Sequence, residues 1–149
     1  MPIAMTIAGS DPSGGAGLQA DLKTFHQHQV YGTSIVTLLT VQNTTSVRAV
    51  QVLEPDFVIA QLASVLADFP PAAAKTGALG SAAVIAAIAS RASDFSFPLI
   101  VDPVMISKHG ARLIDDDAVA VLRQRLLPVA FLVTPNLAEA QVLAEREVQ

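Results

Sequence analysis

No cysteine occurs among the 149 residues, which removes disulfides, thiolate catalysis and cysteine-ligated zinc from the functions open to this chain. Positive charge is not in excess either. Nine Lys and Arg stand against 13 Asp and Glu, a net charge of −4 with no basic stripe, so nucleic acid is not an expected partner. Charged residues of both signs make up 15% against 52% hydrophobic, a balance that excludes disorder and suits a sheet covered on both faces. Long apolar runs are also missing. The start, "MPIAM", lacks the basic region and extended apolar stretch of a secretory signal. The most apolar window, "ALGSAAVIAAIAS", is alanine-rich and too short to span a bilayer. These absences lead to the expectation of a cytoplasmic protein that engages no membrane, with one domain over residues 1–149.

What is present is a repeated alternation of strand-like and helix-like segments. "IAMTIA" (3–8) reads as a strand and 15–28 as a helix; "SIVTLLTV" (34–41) is a continuous buried-type strand. "VRAVQVL" (47–53) alternates, as an exposed or edge strand does. Pro55 sits where a first helical turn tolerates it, ahead of "DFVIAQLASVLADF" with apolar spacings of three and four. A short strand over 71–75, a helix over 81–93, a strand over 97–102, a helix over 115–127, a strand over 130–134 and a helix from Asn136 complete the pattern. Such alternation predicts a mostly parallel sheet with right-handed crossovers in an α/β layered fold.

The strand ends carry the polar residues. Gly9, Ser10 and Asp11 follow the first strand, Gln42 and Asn43 the second; Lys75, Asp102 and Asn136 mark the later ones. Ligands of open parallel sheets sit outside the carboxyl ends of the strands, so these groups are expected along one rim. A single polar strand end needs no function, because loops begin there. Five in succession are harder to ascribe to loops alone.

The first turn, "AGSDPSGGAGLQADLKTF" (8–25), packs Gly14, Gly15 and Gly17 close together between strand and helix. Two readings compete, a backbone cradle for an anion at the helix start or a flexible connection. It is no Walker A loop, since no Gly-Lys-Ser/Thr follows. "GAGLQA" (15–20) matches a dinucleotide pattern locally, but six residues separate it from the strand end at Ala8. No acid lies between Asp21 and Glu54 to bind a ribose, so a nicotinamide enzyme is disfavoured. Asp21 falls on the stripe formed by Leu18, Leu22 and Phe25, so its carboxylate points inward. It either satisfies nearby helix-start amides or lines a cleft and accepts a ligand's N–H or O–H.

"TIAGSDPSGGAGLQADLKTF", "VTLLTVQNT", "EPDFVIAQL", "KTGALG", "VDPVMISKHG" and "LLPVAFLVTPNLAEA" follow in this order. Together they resemble hydroxymethylpyrimidine/phosphomethylpyrimidine kinase, a ribokinase-like family of thiamine biosynthesis. The resemblance covers essentially the whole chain. It implies a ribokinase-like three-layer fold and phosphorylation of a pyrimidine's hydroxymethyl group with ATP and Mg²⁺. By position, it implies that Gln42 hydrogen-bonds the aminopyrimidine edge, for which an amide offers both a donor and an acceptor. Asp21 would hold the substrate, Gly9 and Ala16 would touch it, and Val104 would pack on its ring. Ala78 stands where the family commonly has a methionine, which leaves a hole against the ring. Asp102 resembles a residue near the nucleotide phosphates and Mg²⁺, and carboxylate oxygens suit that hard cation. Asn136 and Glu139 form the N-x-x-E spacing the superfamily associates with its metal and phosphates; the same spacing is an ordinary capping box. A role for Lys75 stays open. His26 and His28, two apart, do not share a helix face and are expected at a wet helix end. His109, in "SKHG", is expected exposed near the rim.

Nothing in the chain resembles the late Gly-rich segment that supplies the superfamily's anion hole and base; neither G-x-G-D nor G-T-G-C occurs. The expectation is therefore the amino-terminal part of a kinase, incomplete on its C-terminal side. It would hold parts of a site and associate with the missing half or with another copy. Two alternatives remain at this point, a pyridoxal kinase-like enzyme and a non-catalytic remnant that binds a heterocycle or a partner chain.

Overall fold

The computed structural model describes residues 1–106, 110 and 112–147. The first strand, β1 (Ile3–Ser10), is followed by α1 (Gly17–Gln27), β2 (Tyr31–Gln42), β3 (Val47–Val52) and α2 (Pro55–Asp68). Next come β4 (Ala73–Thr76), α3 (Ala82–Ala92), β5 (Leu99–Val101), α4 (Asp116–Val121), β6 (Leu132–Val133) and α5 (Leu137–Ala144). The six strands form one sheet in the order β3-β2-β1-β4-β5-β6. Every neighbouring pair is parallel except β2 with β3. The alternating segment 47–53 is thus an edge strand, as its pattern predicts, and it returns antiparallel along the second half of β2.

Period-2 alternation on the central strands separates two faces. Met5 and Ile7 of β1 join Ile35 of β2, Val58 and Leu62 of α2, and Val84, Ile85 and Ile88 of α3 in the main core. Leu122 and Leu126, beyond α4, close this layer. Thr6 and Lys75, register partners on β1 and β4, point to the other face, where α1 lies. On that helix Leu18 is buried, and Leu22 and Phe25 pack over Gly32 of β2. Three layers result, with α1 on one side of the sheet and α2, α3 and α4 on the other.

Local chemistry explains several boundaries. Val36 of β2 precedes the stretch paired with β3, and its backbone N–H and C=O are both taken by the Gln61 side-chain amide. Asp115 caps α4 by accepting from the Ala118 N–H, with Asp116 and Asp117 in the first turn; acids there suit the macrodipole. The helix predicted over 115–127 ends as α4, a π-helical turn over Leu122–Leu126 and a 3₁₀ turn over Leu127–Val129. Pro128 accounts for that loosening, because it has no N–H to continue an α-helix. The late strands are shorter than predicted. β6 pairs with β5 at two positions, Ile100–Leu132 and Val101–Val133, and among the described residues no strand pairs with its other edge.

His26 and His28 are exposed at the end of α1, and the expectation for His109 lies outside the described residues. Among the described residues no helix is long and apolar enough to cross a membrane.

Candidate active site

The carboxyl ends of the strands border a cavity of about 280 Å³. It is lined by Gly9, Ala16, Asp21, Gln42, Ala78 and Val104, the six positions that the sequence singles out for a small substrate. Asp102 and Lys75 also line it, and Leu38, Ile106 and Leu113 add apolar wall. Asp21 and Gln42 thus face one hollow although they sit on different elements, α1 and the end of β2.

The glycine-rich turn closes on a carboxylate of its own. Asp11, 4% exposed, turns its carboxylate back into its own loop. Oδ1 accepts from the Ser13 N–H at 2.9 Å and the Ser13 hydroxyl at 2.7 Å. Oδ2 accepts from the Gly15 and Ala16 N–H groups at 3.2 and 2.9 Å. This carboxylate thus occupies the Ser13, Gly15 and Ala16 amides, ahead of the first turn of α1. Burial pushes the Asp11 carboxyl up, but the bonds from Ser13, Ala16 and Gly15 together outweigh it and hold the group below its ordinary value. Gln19 locks the loop from the helix side, accepting the Asp11 N–H and donating to the Ser10 hydroxyl. Glycine is required at Gly17 for both conformation and space: φ is +59°, and a Cβ would stand 2.4 Å from the Gly9 carbonyl oxygen. The end of β1 and the start of α1 therefore run in backbone contact beside the cavity.

Asp21 is not a first-turn acid, since the first turn of α1 holds none. Its partners are on the sheet face that α1 covers. The buried Thr6 hydroxyl donates to Oδ2 at 2.5 Å, and the Lys75 ammonium reaches Oδ2 at 3.0 Å and Oδ1 at 3.3 Å. Lys75 Nζ also lies 3.9 Å from Asp102 Oδ2. Burial pushes the half-buried Asp102 carboxyl above its ordinary value; Lys75 opposes this, while the charges of Glu139 and Asp21 add to it. At the end of β2, Thr40 Oγ1 lies within reach of both the Ser10 carbonyl oxygen at 2.9 Å and Gln42 Oε1 at 3.2 Å. One hydroxyl proton serves one of them at a time. Among the described residues the Gln42 Nε2 donors have no partner, so the amide is open to a ligand.

Asn136 and Glu139 do not line this cavity. They form a complete capping box on α5: the Asn136 side chain accepts from the Glu139 N–H at 2.9 Å, and Glu139 Oε2 accepts from the Asn136 N–H at 3.0 Å. Glu139 is nonetheless buried and close enough for its charge to act on Asp102. Among the described residues no cluster of three His, Cys, Asp or Glu is arranged to hold a metal ion. Asp102 and Glu139 are both carboxylates, the ligand type that suits a hydrated magnesium ion.

Three features escape a reading of the sequence. Asp11 looks like one more strand-end acid, Thr6 like an interior strand residue, and Lys75, at the start of "KTGALG", gives no sign that its partner is Asp21. A polar residue in the middle of β1, at Thr6, is the one signal that could have pointed to a partner on the α1 face.

A model of the family described as phosphomethylpyrimidine kinase matches residues 11–149. A hydroxymethylpyrimidine/phosphomethylpyrimidine kinase of Synechococcus elongatus is 52% identical over 149 residues, all of this chain and 57% of that protein. The crystal structure of a phosphomethylpyrimidine kinase from Clostridium difficile superposes with a TM-score of 0.93 at 41% identity, over 100% of this chain and 65% of the other. The pyridoxal kinase of Staphylococcus aureus, solved in complex with AMP-PCP and pyridoxal, gives a TM-score of 0.84 at 34% identity, over 100% of this chain and 53% of that one. The chain spans between 27% and 57% of the length of curated relatives such as these. The α/β ribokinase-like architecture is the one the motifs led us to expect, and with the match running from Asp11 onward the chain belongs to the phosphomethylpyrimidine kinase family.

Proposed function

We propose that this chain forms the pyrimidine-binding part of a kinase that phosphorylates 4-amino-5-hydroxymethyl-2-methylpyrimidine, its phosphate, or both, in thiamine biosynthesis. The observation that carries this reading is the meeting of Asp21 and Gln42 at one cavity in a member of this family. Gln42 offers a donor and an acceptor to the aminopyrimidine edge, and Asp21 accepts from a ring substituent's N–H or O–H. Gly9 and Ala16 bring backbone close to the ligand, and Val104 covers the ring face. A site built of such half-buried polar groups disfavours analogues that leave them unpaired.

The phosphoryl donor in this reading is ATP, supported by the AMP-PCP bound to the pyridoxal kinase neighbour. ATP with Mg²⁺ supplies the transferable phosphoryl group and neutralises charge on it. Asp102 and Glu139 are the residues that would hold the metal, and the Asn136 capping box keeps Glu139 in place. The segments that shield the transfer and remove the hydroxyl proton belong, in this proposal, to the part of the kinase beyond these residues. The 57% coverage of the Synechococcus relative supports that division.

Titration of the purified chain with the aminopyrimidine alcohol, followed by an ADP-formation assay, tests the proposal. Binding without appreciable turnover is expected. No binding would remove the pyrimidine assignment, and clear turnover would overturn the division into two parts. The likeness to pyridoxal kinase favours a second reading, a vitamin B6 substrate, which predicts that pyridoxal displaces the aminopyrimidine.

A further inference from the structure

Lys75 is the one cation among the described residues lining the cavity, and it faces acids on two elements. Its ammonium bonds both oxygens of Asp21 and lies 3.9 Å from Asp102. The Lys75 and Asp21 side chains are 22% and 20% exposed, so the pair is shielded compared with a surface ion pair. Space for the ammonium depends on Gly77, where a Cβ would lie 3.3 Å from Nζ. Asp21 Oδ2 is filled by Thr6 and Lys75, whereas Oδ1 takes one bond, from Lys75 at 3.3 Å. A carboxylate oxygen has room for a second, so Oδ1 retains an acceptor site.

Resting on the pyrimidine reading above, we propose that Lys75 is a positioning residue: together with Thr6 it clamps Asp21 so that Oδ1 is presented to the ligand, and it spans Asp21 and Asp102 across the cavity floor. Without the ammonium, two carboxylates share the floor with no cation between them. Asp21 then turns toward water, away from Asp102 and the ligand. Lys75 touches no reacting atom in this account and acts through Asp21.

The chain contains no cysteine, which permits a direct test. Lys75→Met should weaken binding of the aminopyrimidine alcohol, measured by calorimetry, by about tenfold or more, the scale of one charged hydrogen bond. Lys75→Cys should lose binding similarly. Alkylation of that thiol with 2-bromoethylamine, which restores an ammonium at nearly the original reach, should bring affinity back to within about threefold, whereas neutral carbamidomethylation should not. A lysine that merely supports the fold would show no such charge-selective rescue. Wild-type affinity in Lys75→Met, or failure of the aminoethylated protein to recover while folded, overturns the proposal. If the unaltered chain itself fails to bind the aminopyrimidine, the pyrimidine reading falls. The ligand-free crystal structure of Lys75→Met then decides the role of Lys75: a displaced Asp21 carboxylate supports it, and one unmoved on Thr6 sinks it.

Discussion

Gln42 and Asp102 show how far one side chain's surroundings set its task. The Gln42 amide has a soft contact with Thr40 and free donors at the mouth of the cavity. Replacing it with leucine keeps the volume and removes both donor and acceptor. We expect Gln42→Leu to lower affinity for the aminopyrimidine by about tenfold or more; unchanged binding in calorimetry would remove Gln42 from the site. For Asp102 the surroundings work against the charge, since burial, Glu139 and Asp21 all push its carboxyl up against Lys75. A folded carboxyl with a raised pKa makes its ionised form a cost to stability above that pKa, relieved as pH falls through it. Asp102→Asn is therefore expected to raise the Tm at pH 7, by about 1–3 °C. A Tm lowered by the change would contradict the sign. Stability set aside at such a position fits a residue kept for chemistry.

The element that answers most to single substitutions is the turn between β1 and α1. Asp11 ties the loop ahead of α1 by accepting from the Ser13, Gly15 and Ala16 N–H groups, where Ala16 offers α1 no side-chain cap. Its carboxyl lies below its ordinary value of 3.8, so the folded state resists protonation more than the unfolded chain does. The stabilisation it contributes is present above the unfolded value and is lost as pH falls through the folded one. Thermal melts between pH 7 and pH 2 should show an acid-side decline that Asp11→Asn flattens, along with a loss at pH 7 of about 2 kcal/mol for the unsatisfied loop amides. An unaltered decline would place its origin elsewhere. Gly17→Ala tests the neighbouring contact. Alanine at φ +59° with its Cβ 2.4 Å from a carbonyl oxygen should cost more than about 1 kcal/mol. A neutral effect on the denaturant midpoint would show that the turn can shift.

At the scale of the molecule, apolar side chains lie exposed along the β6 edge of the sheet. Phe131, beside β6, is 78% exposed, and Leu132, Leu137 and Val142 are exposed with it along β6 and α5. An uncovered strand edge with apolar neighbours is a template for association. Sedimentation velocity should show an apparent mass that rises with protein concentration, and Phe131→Ser combined with Leu137→Ser should reduce the rise. A monomer independent of concentration would mean that this surface tolerates water.

Reading the residues in order was enough to lay out the elements of this protein. Pro55 at a helix start, the edge-strand alternation of 47–53 and the Asn136–Glu139 box are local signals, each determined by neighbours a few residues away. The motifs also named the family and the cavity-lining positions. The order β3-β2-β1-β4-β5-β6, the contact of Asp21 with Lys75 across 54 positions and the closure of the glycine-rich turn on Asp11 came from the tertiary structure alone. Periodicity tells a side chain which face it occupies, but not which side chain will lie opposite it. That is decided when strand register and helix placement bring distant residues within hydrogen-bonding distance.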